Sequence, residues 1–580
     1  MKFAIVFTVV AVALSTSRAQ PVNECWSESL GFPCCPSDYC EVAKTDSSGS
    51  WGIFDNNWCG ISTDCEVSDD EVNVDIVNDE ESIVAVDNND VEDEIDSGDE
   101  EEKKEFSNEF IFNIEDNLNN KKTVSVAALE DLELNIDGYH FSGAFEDAEY
   151  TKYFDFTNVT QSNAYDIFLK YDKREQYKKQ SGIDLNSYVD SLIERTTSFI
   201  PYWNKESFKG KWNYIDGVFL NSVVNLYKKT NNEKYKEFFI KYINYYVAED
   251  GTFVHYTEDG VKTVDNDLGW VTGELDTVCE SKILFDAYEM TGDKRYLTAI
   301  EFTYQKLMEM PLCYNSPNFW HKTFYINQIW LDGMYMYAPF LARYAVLKND
   351  LSILDNIKEQ YAFIHDNMRD ENGLYHHGFD TTKTIFWSKN NDGKSENFWL
   401  RSMGWFAVSL ADILEYYPEG ENKEYLKNVL EELLNGILPF QDKTTKMFYQ
   451  VIDKPEEIQL VDKFYFSNLG NSKYGDINTF VSNYVESSGS SMFAYSFLKY
   501  GKVYQNGGKF EDIGKEIFEA VYQHSYQNHT LSDICITAGL GPEAKTYRDG
   551  TLSYYLAEKV GEDDAKGVGP FLMAFIEYNY

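Results

Sequence analysis

Downstream of about residue 181, apolar side chains recur at the three- and four-residue spacing of amphipathic helices. The periodicity predicts about twelve helices, separated by turns rich in Gly, Asn and Asp. A shared junction, seen in LYKKTNNEKY and AYEMTGDKRY, ends one helix at Tyr and starts the next. The predicted helices begin near Leu185, Asp216, Glu233, Glu274, Lys294, Gln328, Leu351, Phe398, Lys423, Ser487, Glu511 and Gly569.

The junction tyrosines Tyr227, Tyr288 and Tyr344 recur at a period of roughly 60 residues, which indicates a repeated helical hairpin. About six such hairpins in series could stack as an open solenoid or close into an (α/α)6 barrel. Long loops follow alternate helices, and on a barrel they would gather on one face and build an active site there. We therefore predict a mainly α protein whose residues 181–580 form an (α/α)6 barrel.

The region upstream of the helices has two different patterns. In residues 106–180, FIFNIEDNL and TVSVAALEDLELNI have the composition of short strands, and we interpret this region as an accessory segment of unknown role. Residues 66–105 are dominated by Asp and Glu, with Lys only at Lys103 and Lys104, and no period holds. Like charges repel along such a chain, so we predict a disordered acidic linker.

The first 19 residues are typical of a secretory signal peptide. Lys2 provides a positive start, an apolar run extends from Phe3 to Leu14, and small residues flank a cleavage site near Ala19. No later stretch reaches the roughly 20 apolar residues that a membrane span needs. We therefore expect a secreted, extracellular protein.

Six of the nine cysteines lie between Cys25 and Cys65. A dense cysteine cluster in a secreted chain predicts a small disulfide-rich module, here over residues 23–65. Zinc is the alternative, but this segment contains no histidine. Its aromatic residues are too many for so thin a core, so some should be exposed as binding anchors.

This module resembles the non-catalytic dockerin modules of anaerobic fungi, which are related to small cellulose-binding modules. Cys-Trp near its start and Asn-Asn-Trp-Cys-Gly near its end are the motifs that it shares with them. The resemblance implies binding to a scaffold protein of an extracellular, cellulosome-like complex, and it leaves the cysteine pairing open. By position it implies a scaffold-binding face formed by Tyr39, Asp55, Trp58 and Gly60.

The formal net charge of −46 argues against nucleic acid as a partner, because phosphate binding needs a basic surface. An anionic sugar is not excluded, since a local Arg or Lys can still bind it. The 43 Tyr, 39 Phe and 11 Trp are consistent with rings that stack on sugars and equally with a large helical core.

The candidate chemistry centres on residues 319–336, FWHKTFYINQIWLDGMYM. This aromatic stretch contains one carboxylate, Asp332, and an apolar setting favours the protonated form that a general acid needs. The alternative is that Asp332 merely caps the helix that follows. His321, upstream in the same stretch, is our candidate for a substrate-binding residue.

Two further loops supply candidate residues. Asp276 opens a predicted helix whose Thr277 and Glu280 have the spacing of a capping box, so its role is either catalytic or structural. Residues 373–405 contain Arg401, whose guanidinium could bind a carboxylate bidentately or tie the loop to a helix end. One of the adjacent pair His376 and His377 is a candidate donor to a ligand carboxylate, and the alternative is a loop histidine packed on Tyr375. The neighbouring histidines lack the spacing of a metal site, and we predict neither a metal nor a cofactor.

WLDGMYM, HHGFD, FWLRSMGW, ESSGSSMFAY and GVGPFLMAFIEY occur in this order. From Trp212 to the end, the chain thereby resembles glycoside hydrolase family 105, the unsaturated rhamnogalacturonyl hydrolases. The resemblance implies a general acid/base at Asp332 and a second catalytic carboxylate at Asp276. It implies contacts with the substrate, or a wall of its pocket, for His377, Trp399, Arg401 and Trp405.

The family's reaction is hydration of a terminal 4,5-unsaturated galacturonate left by pectin lyases. An acid protonates C4, water adds at C5, and the hemiketal collapses to release the next sugar. The sequence departs from the family at Asn315–Asn318, which leaves the preferred leaving group open. The alternatives are an unsaturated glucuronyl hydrolase, an inverting glycosidase that uses Asp276 as base, and an inactive carbohydrate-binding barrel.

Overall fold

The computed structural model divides the chain into two compact units, Met1–Glu102 and Lys103–Tyr580. Our predictions for residues 1–19 and 66–105, and for Tyr39 and Asp55, lie outside the residues that the structure describes. The described residues are 34–36, 44–46, 49–54, 57–61, 110–115, 121–126, 135–136, 139–140, 176–196, 201–205, 211–254, 256, 271–455, 457–473, 478–505 and 508–580.

The first unit contains a three-stranded antiparallel sheet formed by β1 (Lys44–Asp46), β2 (Gly49–Phe54) and β3 (Asn57–Gly60). A disulfide joins Cys35 to Cys59, with the two Cα atoms 4.9 Å apart, and Ile61 packs beside it. The disulfide-rich character predicted for this module is therefore confirmed, and Trp58 and Gly60 lie on β3.

The second unit is mainly helical, as predicted. Its helices alternate between two environments along the chain, one almost wholly buried and one amphipathic. The helices are α1 (Asn186–Glu194), α2 (Tyr214–Thr230), α3 (Glu233–Tyr246), α4 (Asp276–Glu280), α5 (Ile283–Thr291), α6 (Arg295–Met308), α7 (Leu331–Lys348), α8 (Ser352–Met368), α9 (Leu400–Ile413), α10 (Glu421–Ile437), α11 (Lys463–Asn468), α12 (Ser487–Tyr504), α13 (Lys509–Ser525), α14 (Leu552–Ala557) and α15 (Ala565–Asn579).

The buried helices form a closed inner ring. In ring order they are α2, α4 with its continuation α5, α7, α9, α12 and α15, and α15 packs back against α2. Glycines allow this close approach, since a Cβ at Gly489 would overlap Leu400 and one at Gly569 would overlap Val218. The amphipathic helices α1, α3, α6, α8, α10 and α13 alternate with them along the chain and form the outer layer. The predicted (α/α)6 barrel is therefore confirmed.

The second unit also contains short β-strands outside the helices. They form two-stranded ribbons β4–β5, β8–β9, β12–β13 and β14–β15, and one four-stranded sheet in the order β10-β11-β6-β7. In that sheet Asn135 pairs in parallel with Val481. The strands are β4 (Phe110–Glu115), β5 (Lys121–Val126), β6 (Asn135–Ile136), β7 (Tyr139–His140), β8 (Gln328–Trp330), β9 (Gly378–Asp380), β10 (Ile458–Val461), β11 (Thr479–Ser482), β12 (Tyr526–Gln527), β13 (Thr530–Leu531), β14 (Ile534–Cys535) and β15 (Val560–Gly561).

The β8–β9 ribbon joins two of the long loops that the sequence indicated. Its antiparallel register pairs Trp330 with Gly378, and the N–H of Leu331 donates to the carbonyl of His377 at 3.1 Å. The ribbon therefore places the residues that follow β8 directly beside those that precede β9.

Candidate active site

The amino ends of the inner helices converge on one cavity of about 330 Å³. Five of the six inner positions contribute a side chain from the first or second residue of a helix, namely Tyr214, Asp276, Asp332, Arg401 and Lys566. Because the amino end of a helix carries the positive end of its dipole, this arrangement favours a negatively charged ligand.

The side chains of the cavity wall add to that preference. Five cations and three carboxylates line it, although the whole chain has a formal net charge of −46. Aromatic rings form much of the remaining wall, as expected of a site that holds a sugar ring. The remaining lining residues are Glu274, His321, Lys322, Phe324, Tyr325, Trp330, Met336, Trp399, Trp405, Thr537, Ala538, Lys545 and Arg548.

Asp332 is the second residue of α7 and is only 8% exposed. Its helix starts at the end of β8, directly after Trp330, whose ring also lines the cavity. The helix begins without a side-chain cap, and Asp332 Oδ2 has no hydrogen-bond partner. The structural alternative of a helix cap therefore has no hydrogen bond to support it, and the residue lines the cavity.

His377 lies behind Asp332 and is fully buried. Its Nε2 is 3.4 Å from Asp332 Oδ2, and its Nδ1 is 2.7 Å from the hydroxyl of Tyr555. If Nδ1 accepts from Tyr555, the ring proton is on Nε2 and faces the carboxyl group. Trp399 packs on the same imidazole, with the ring centroids 4.7 Å apart. His377 can therefore orient Asp332 from behind.

Asp276 belongs to a largely buried charge network in the cavity wall, which it forms with Lys322 and Glu274. Lys322 Nζ is 2.6 Å from Asp276 Oδ2 and 2.9 Å from Glu274 Oε2. Burial raises the pKa of both carboxyl groups, but Lys322 and His321 hold the pKa of Asp276 below its ordinary value, whereas that of Glu274 stays raised. Asp276 is therefore the ionised partner in this network.

His321 lies near both candidate catalytic carboxyl groups, those of Asp276 and Asp332. Its ring is stacked on Trp330 with centroids 4.4 Å apart, and its Nε2 is 3.5 Å from Asp276 Oδ1. Burial lowers the pKa of His321 to about 4, although the charge of Asp276 opposes this shift. The imidazole is therefore neutral at ordinary pH and can donate or accept a hydrogen bond.

Arg401 is 1% exposed, and most of its guanidinium is occupied. Nη1 donates to Ser488 and to the carbonyl of Cys535, and Nη2 donates to the carbonyl of Ile536. Three of the five guanidinium protons are therefore taken. Nε is buried without a hydrogen-bond partner, so a bidentate contact with a carboxylate would have to use Nε and the second proton of Nη2.

The two tryptophans predicted for this site both line the cavity. Trp399 packs over the Arg401 guanidinium at 4.7 Å and is almost fully buried. Trp405 stacks on Tyr335 with ring centroids 4.4 Å apart and closes the bottom of the cavity together with Met336. Both tryptophans therefore belong to the aromatic part of the cavity wall.

The capping box predicted at the start of α4 does not form. The carboxylate of Glu280 is buried and accepts from the N–H of Asn213 at 2.6 Å, and Thr277 bonds to Glu274 instead. Glu274, Tyr555, Lys545, Arg548 and Lys566 were missed by the sequence analysis. A signal was present only for Glu274, which is two residues from Asp276.

Two absences hold for the part of the chain that the structure describes. It contains no group of three or more His, Cys, Asp or Glu residues that could hold a metal ion. No described helix is long and apolar enough to cross a membrane.

Comparison with known proteins shows relatives of both units. A cellulose or protein binding domain matches residues 24–61. Over 66 residues the chain is 47% identical to feruloyl esterase B of Piromyces equi, which is 11% of this chain and 12% of that protein. This similarity supports the predicted dockerin-like module. It gives no information on the function of the second unit.

The second unit matches the model of Glycosyl Hydrolase Family 88 over residues 188–462 and 476–580. Protein Atu3128 of Agrobacterium fabrum is 30% identical over 251 residues, 42% of this chain and 97% of that protein. A family 105 glycoside hydrolase of C. acetobutylicum has a similar structure, with 29% identity, a TM-score of 0.56, and coverage of 68% of this chain and 98% of that one. The resemblance to family 105 is thereby confirmed, and the chain belongs to glycosyl hydrolase family 88.

Proposed function

We propose that this glycoside hydrolase releases a terminal 4,5-unsaturated galacturonate from lyase products by hydrating the double bond. The observation that carries the proposal is the carboxyl group of Asp332, which is buried in a cationic, aromatic pocket and has an oxygen without a protein partner. A carboxyl group in this position can act as a general acid that transfers its proton to a substrate carbon.

In the proposed reaction the Asp332 carboxyl group gives its proton to C4 of the double bond. A water molecule adds at C5 and loses its proton to the Asp332 carboxylate, so the acid is regenerated. The resulting C5 hemiketal breaks its bond to the ring oxygen and becomes a ketone, which leaves a hemiacetal at C1. This hemiacetal breaks its C1–O bond to the neighbouring sugar, becomes an aldehyde and releases that sugar as an alcohol. His377 fixes the carboxyl group through the 3.4 Å contact, so one residue can perform both proton transfers in succession.

Asp276 takes a different role in this proposal. Lys322 and His321 favour its ionised form, so it is poorly suited to donate the proton and well suited to accept hydrogen bonds from sugar hydroxyls. The neutral His321 is placed to contact the same sugar. Asp276 thereby orients the substrate while Asp332 carries out the chemistry.

The uronate itself is held by the far wall of the pocket. We propose that the sugar contacts the edge of Trp399 that lines the cavity and that its carboxylate binds the Arg401 guanidinium, with Trp405 also in the wall of this subsite. His377 supports this side from behind Asp332. The five cations of the cavity support a negatively charged substrate over a neutral one.

We propose rhamnogalacturonan lyase products as the substrates, and secretion into an extracellular enzyme complex. The match of the first module to a fungal feruloyl esterase supports this setting. Residues 1–19 would be removed as a signal, residues 23–65 would bind the scaffold through Tyr39, Asp55, Trp58 and Gly60, and residues 66–105 would be the linker. Residues 106–180 remain an accessory segment before the catalytic barrel of residues 181–580.

The test compares matched saturated and unsaturated uronyl disaccharides, with galacturonate or glucuronate as the terminal sugar. Loss of the ultraviolet absorbance of the double bond, together with release of the second sugar, supports the proposal for the unsaturated galacturonide. Turnover of the saturated compound would indicate an inverting glycosidase instead. A preference for the glucuronide would transfer the assignment to that substrate, and binding without turnover of any compound would indicate an inactive barrel.

A further inference from the structure

A ladder of aromatic rings leads from the candidate catalytic centre to the mouth of the pocket. His321 stacks on Trp330 at 4.4 Å, Trp330 contacts Tyr325 at 4.5 Å, and Tyr325 contacts Phe324 at 4.5 Å. The first three rings are at most 6% exposed, but Phe324 is 55% exposed while still lining the cavity. The ladder therefore ends in an open aromatic face at the rim.

An exposed aromatic ring alone means little, because isolated apolar side chains are common on protein surfaces. Phe464 illustrates this, since it is 50% exposed and lies on α11 without lining the cavity. Phe324 differs because its ring continues the wall of the proposed sugar site. Its exposed face is therefore within reach of a saccharide that extends out of the cavity.

The rim also carries a cation. Lys545 ends a short 3-10 helix (Glu543–Lys545), is exposed, and lines the same cavity as Phe324. Partial burial lowers the pKa of Lys545, and the positive charges of Arg548 and Lys322 lower it further. Arg548 lines the wall behind it, and its Nε is buried without a hydrogen-bond partner. Lys545 and Arg548 are therefore two cations of the same cavity wall as Phe324.

Burial orders these groups by depth. Arg401 is buried and bonded to backbone carbonyls, and Lys322 is largely buried and bonded to carboxylates, whereas Lys545 faces solvent. A ligand carboxylate at the bottom of the pocket would meet the buried cations first. A second carboxylate, on a sugar nearer the exit, would meet Lys545.

From this arrangement we infer an outer subsite for the third sugar ring, counted from the released uronate. Phe324 stacks on this ring, and Lys545, supported by Arg548, binds its carboxylate. The substrate class is thus an oligosaccharide longer than a disaccharide that carries a second acidic ring. This inference rests on the proposed function for the position of the released uronate, and it adds the part of the chain that leaves the pocket.

The test uses three substrates with the same unsaturated terminal uronate: a disaccharide with a neutral second ring, and trisaccharides whose third ring is neutral or acidic. Phe324→Ala should lower kcat/KM for both trisaccharides relative to the disaccharide by about two- to tenfold. Lys545→Gln should lower the preference for the acidic over the neutral trisaccharide by about two- to fivefold. Added salt should reduce the second effect and spare the first.

Two control variants match these substitutions in exposure and chemistry. Phe464→Ala and Lys509→Gln alter an exposed phenylalanine and an exposed lysine outside the cavity, and both should leave the substrate ratios as in the wild type. Unchanged ratios in Phe324→Ala and Lys545→Gln would overturn the outer subsite. Equal losses on the disaccharide and the trisaccharides in Lys545→Gln would also overturn it, since they would place that charge on the released uronate.

Binding separates this inference from the proposed reaction. Calorimetric titration of the same saccharides into the Asp332→Asn protein, with and without Phe324→Ala or Lys545→Gln, needs no turnover. If the wild type hydrolyses none of them, the proposed function fails. The outer subsite is then supported if the two substitutions weaken trisaccharide binding by the factors expected for kcat/KM. It is overturned if they leave trisaccharide binding unchanged.

Discussion

The imidazole of His377 and the carboxyl group of Asp332 face each other at 3.4 Å, and neither His377 Nε2 nor Asp332 Oδ2 has another hydrogen-bond partner. Buried polar atoms without partners are rare, because leaving them unpaired costs free energy. The pair therefore has the character of a site that is completed by its ligand. It is held together by backbone pairing, since β8 leads into Asp332 and His377 leads into β9.

Asp332→Asn should preserve the fold and the binding of substrate and should lower kcat by about a hundredfold or more, because an amide cannot donate the proton. Ultraviolet absorbance follows turnover, and calorimetry follows binding. Asp355→Asn, in the first turn of the outer helix α8, is the matched control and should retain full activity. Near-normal turnover in Asp332→Asn would show that this residue is not catalytic and only occupies the start of the helix.

Tyr555→Phe should lower kcat by about two- to tenfold, because it removes the hydroxyl bonded to His377 Nδ1 and frees the ring to change tautomer. The pH profile of kcat should shift as well, which a purely structural role would not cause. Tyr554→Phe is the control, since the hydroxyl of this neighbouring tyrosine donates to Glu558 at 2.7 Å. Equal effects of the two substitutions on kcat would contradict a positioning role for Tyr555.

Arg401→Lys should lower both stability and activity. The guanidinium joins the start of α9 to the carbonyls of Cys535 and Ile536, and each charged hydrogen bond that is lost costs about 1.5–3 kcal/mol of unfolding free energy. Activity on the unsaturated uronide should fall about ten- to a hundredfold by the same energetics.

Chemical denaturation and kinetics measure these two effects separately. Arg195→Lys is the control, because Arg195 is partly exposed and its ion pair with Asp563 is long, at 3.9 Å. Loss of activity in Arg401→Lys at unchanged stability would show that this residue serves the substrate alone.

The stability of the protein should depend on His321 between about pH 4 and 6.5. Burial lowers the pKa of His321 from 6.5 to about 4, so in this window the unfolded chain binds a proton that the folded chain does not. Folding stability therefore falls as the pH falls. The free energy of unfolding of the wild type, relative to His321→Gln, should drop by about 3 kcal/mol across the window.

Denaturant titrations at several pH values provide this measurement. The difference between the two proteins isolates His321 from Asp216, a buried carboxyl group whose pKa is raised to about 6 by burial. That group acts in the opposite sense over a similar range, and its contribution cancels in the comparison. A difference that does not vary with pH would contradict the neutral, buried state of His321.

The N-terminal module and the barrel should work independently. The module has its own disulfide, Cys35–Cys59, and the candidate catalytic residues all lie beyond Trp212. A truncated protein that starts near Glu105 should hydrolyse a soluble unsaturated disaccharide at the wild-type rate and lose attachment to the fungal scaffold. Loss of turnover on this truncation would show that the N-terminal region supports the active site.

The module alone provides the complementary measurement. Oxidised residues 20–66 should bind the scaffold in a pull-down, and Trp58→Ala should weaken that binding by removing an aromatic anchor. Ser50→Ala, a polar substitution in the same small sheet, serves as the control. Equal binding by Trp58→Ala and the unaltered module would place the scaffold contact elsewhere.

The barrel could be predicted because its signal is local. Helical periodicity and the repeated Tyr junction identified all twelve alternating helices, whose starts lie within a few residues of the predicted ones. Asp332 and Asp276 could be found because each opens an inner helix beside an unusual cluster of polar or aromatic residues. Local patterns of this kind can be recognised in the sequence without knowledge of the long-range contacts of the chain.

The contacts that close the site could not be predicted, because they join distant parts of the chain. Tyr555 meets His377 across 178 residues, and Arg401 reaches the carbonyl of Cys535 across 134 residues. Nothing in the sequence around Arg401 shows that its donors are taken by backbone carbonyls. Such pairings follow from closure of the helix ring, which no local pattern encodes.

Five of the six inner positions of the ring have two parts with separate roles. The first or second residue of the helix lines the cavity, and the turns that follow pack against neighbouring helices. Where the starting residue does not also bond to a neighbouring segment, as Arg401 does, its substitution changes the cavity wall and leaves the packing of the ring in place. New substrate preferences are therefore accessible by single mutations at helix starts, so this architecture can diversify in specificity while its scaffold stays the same.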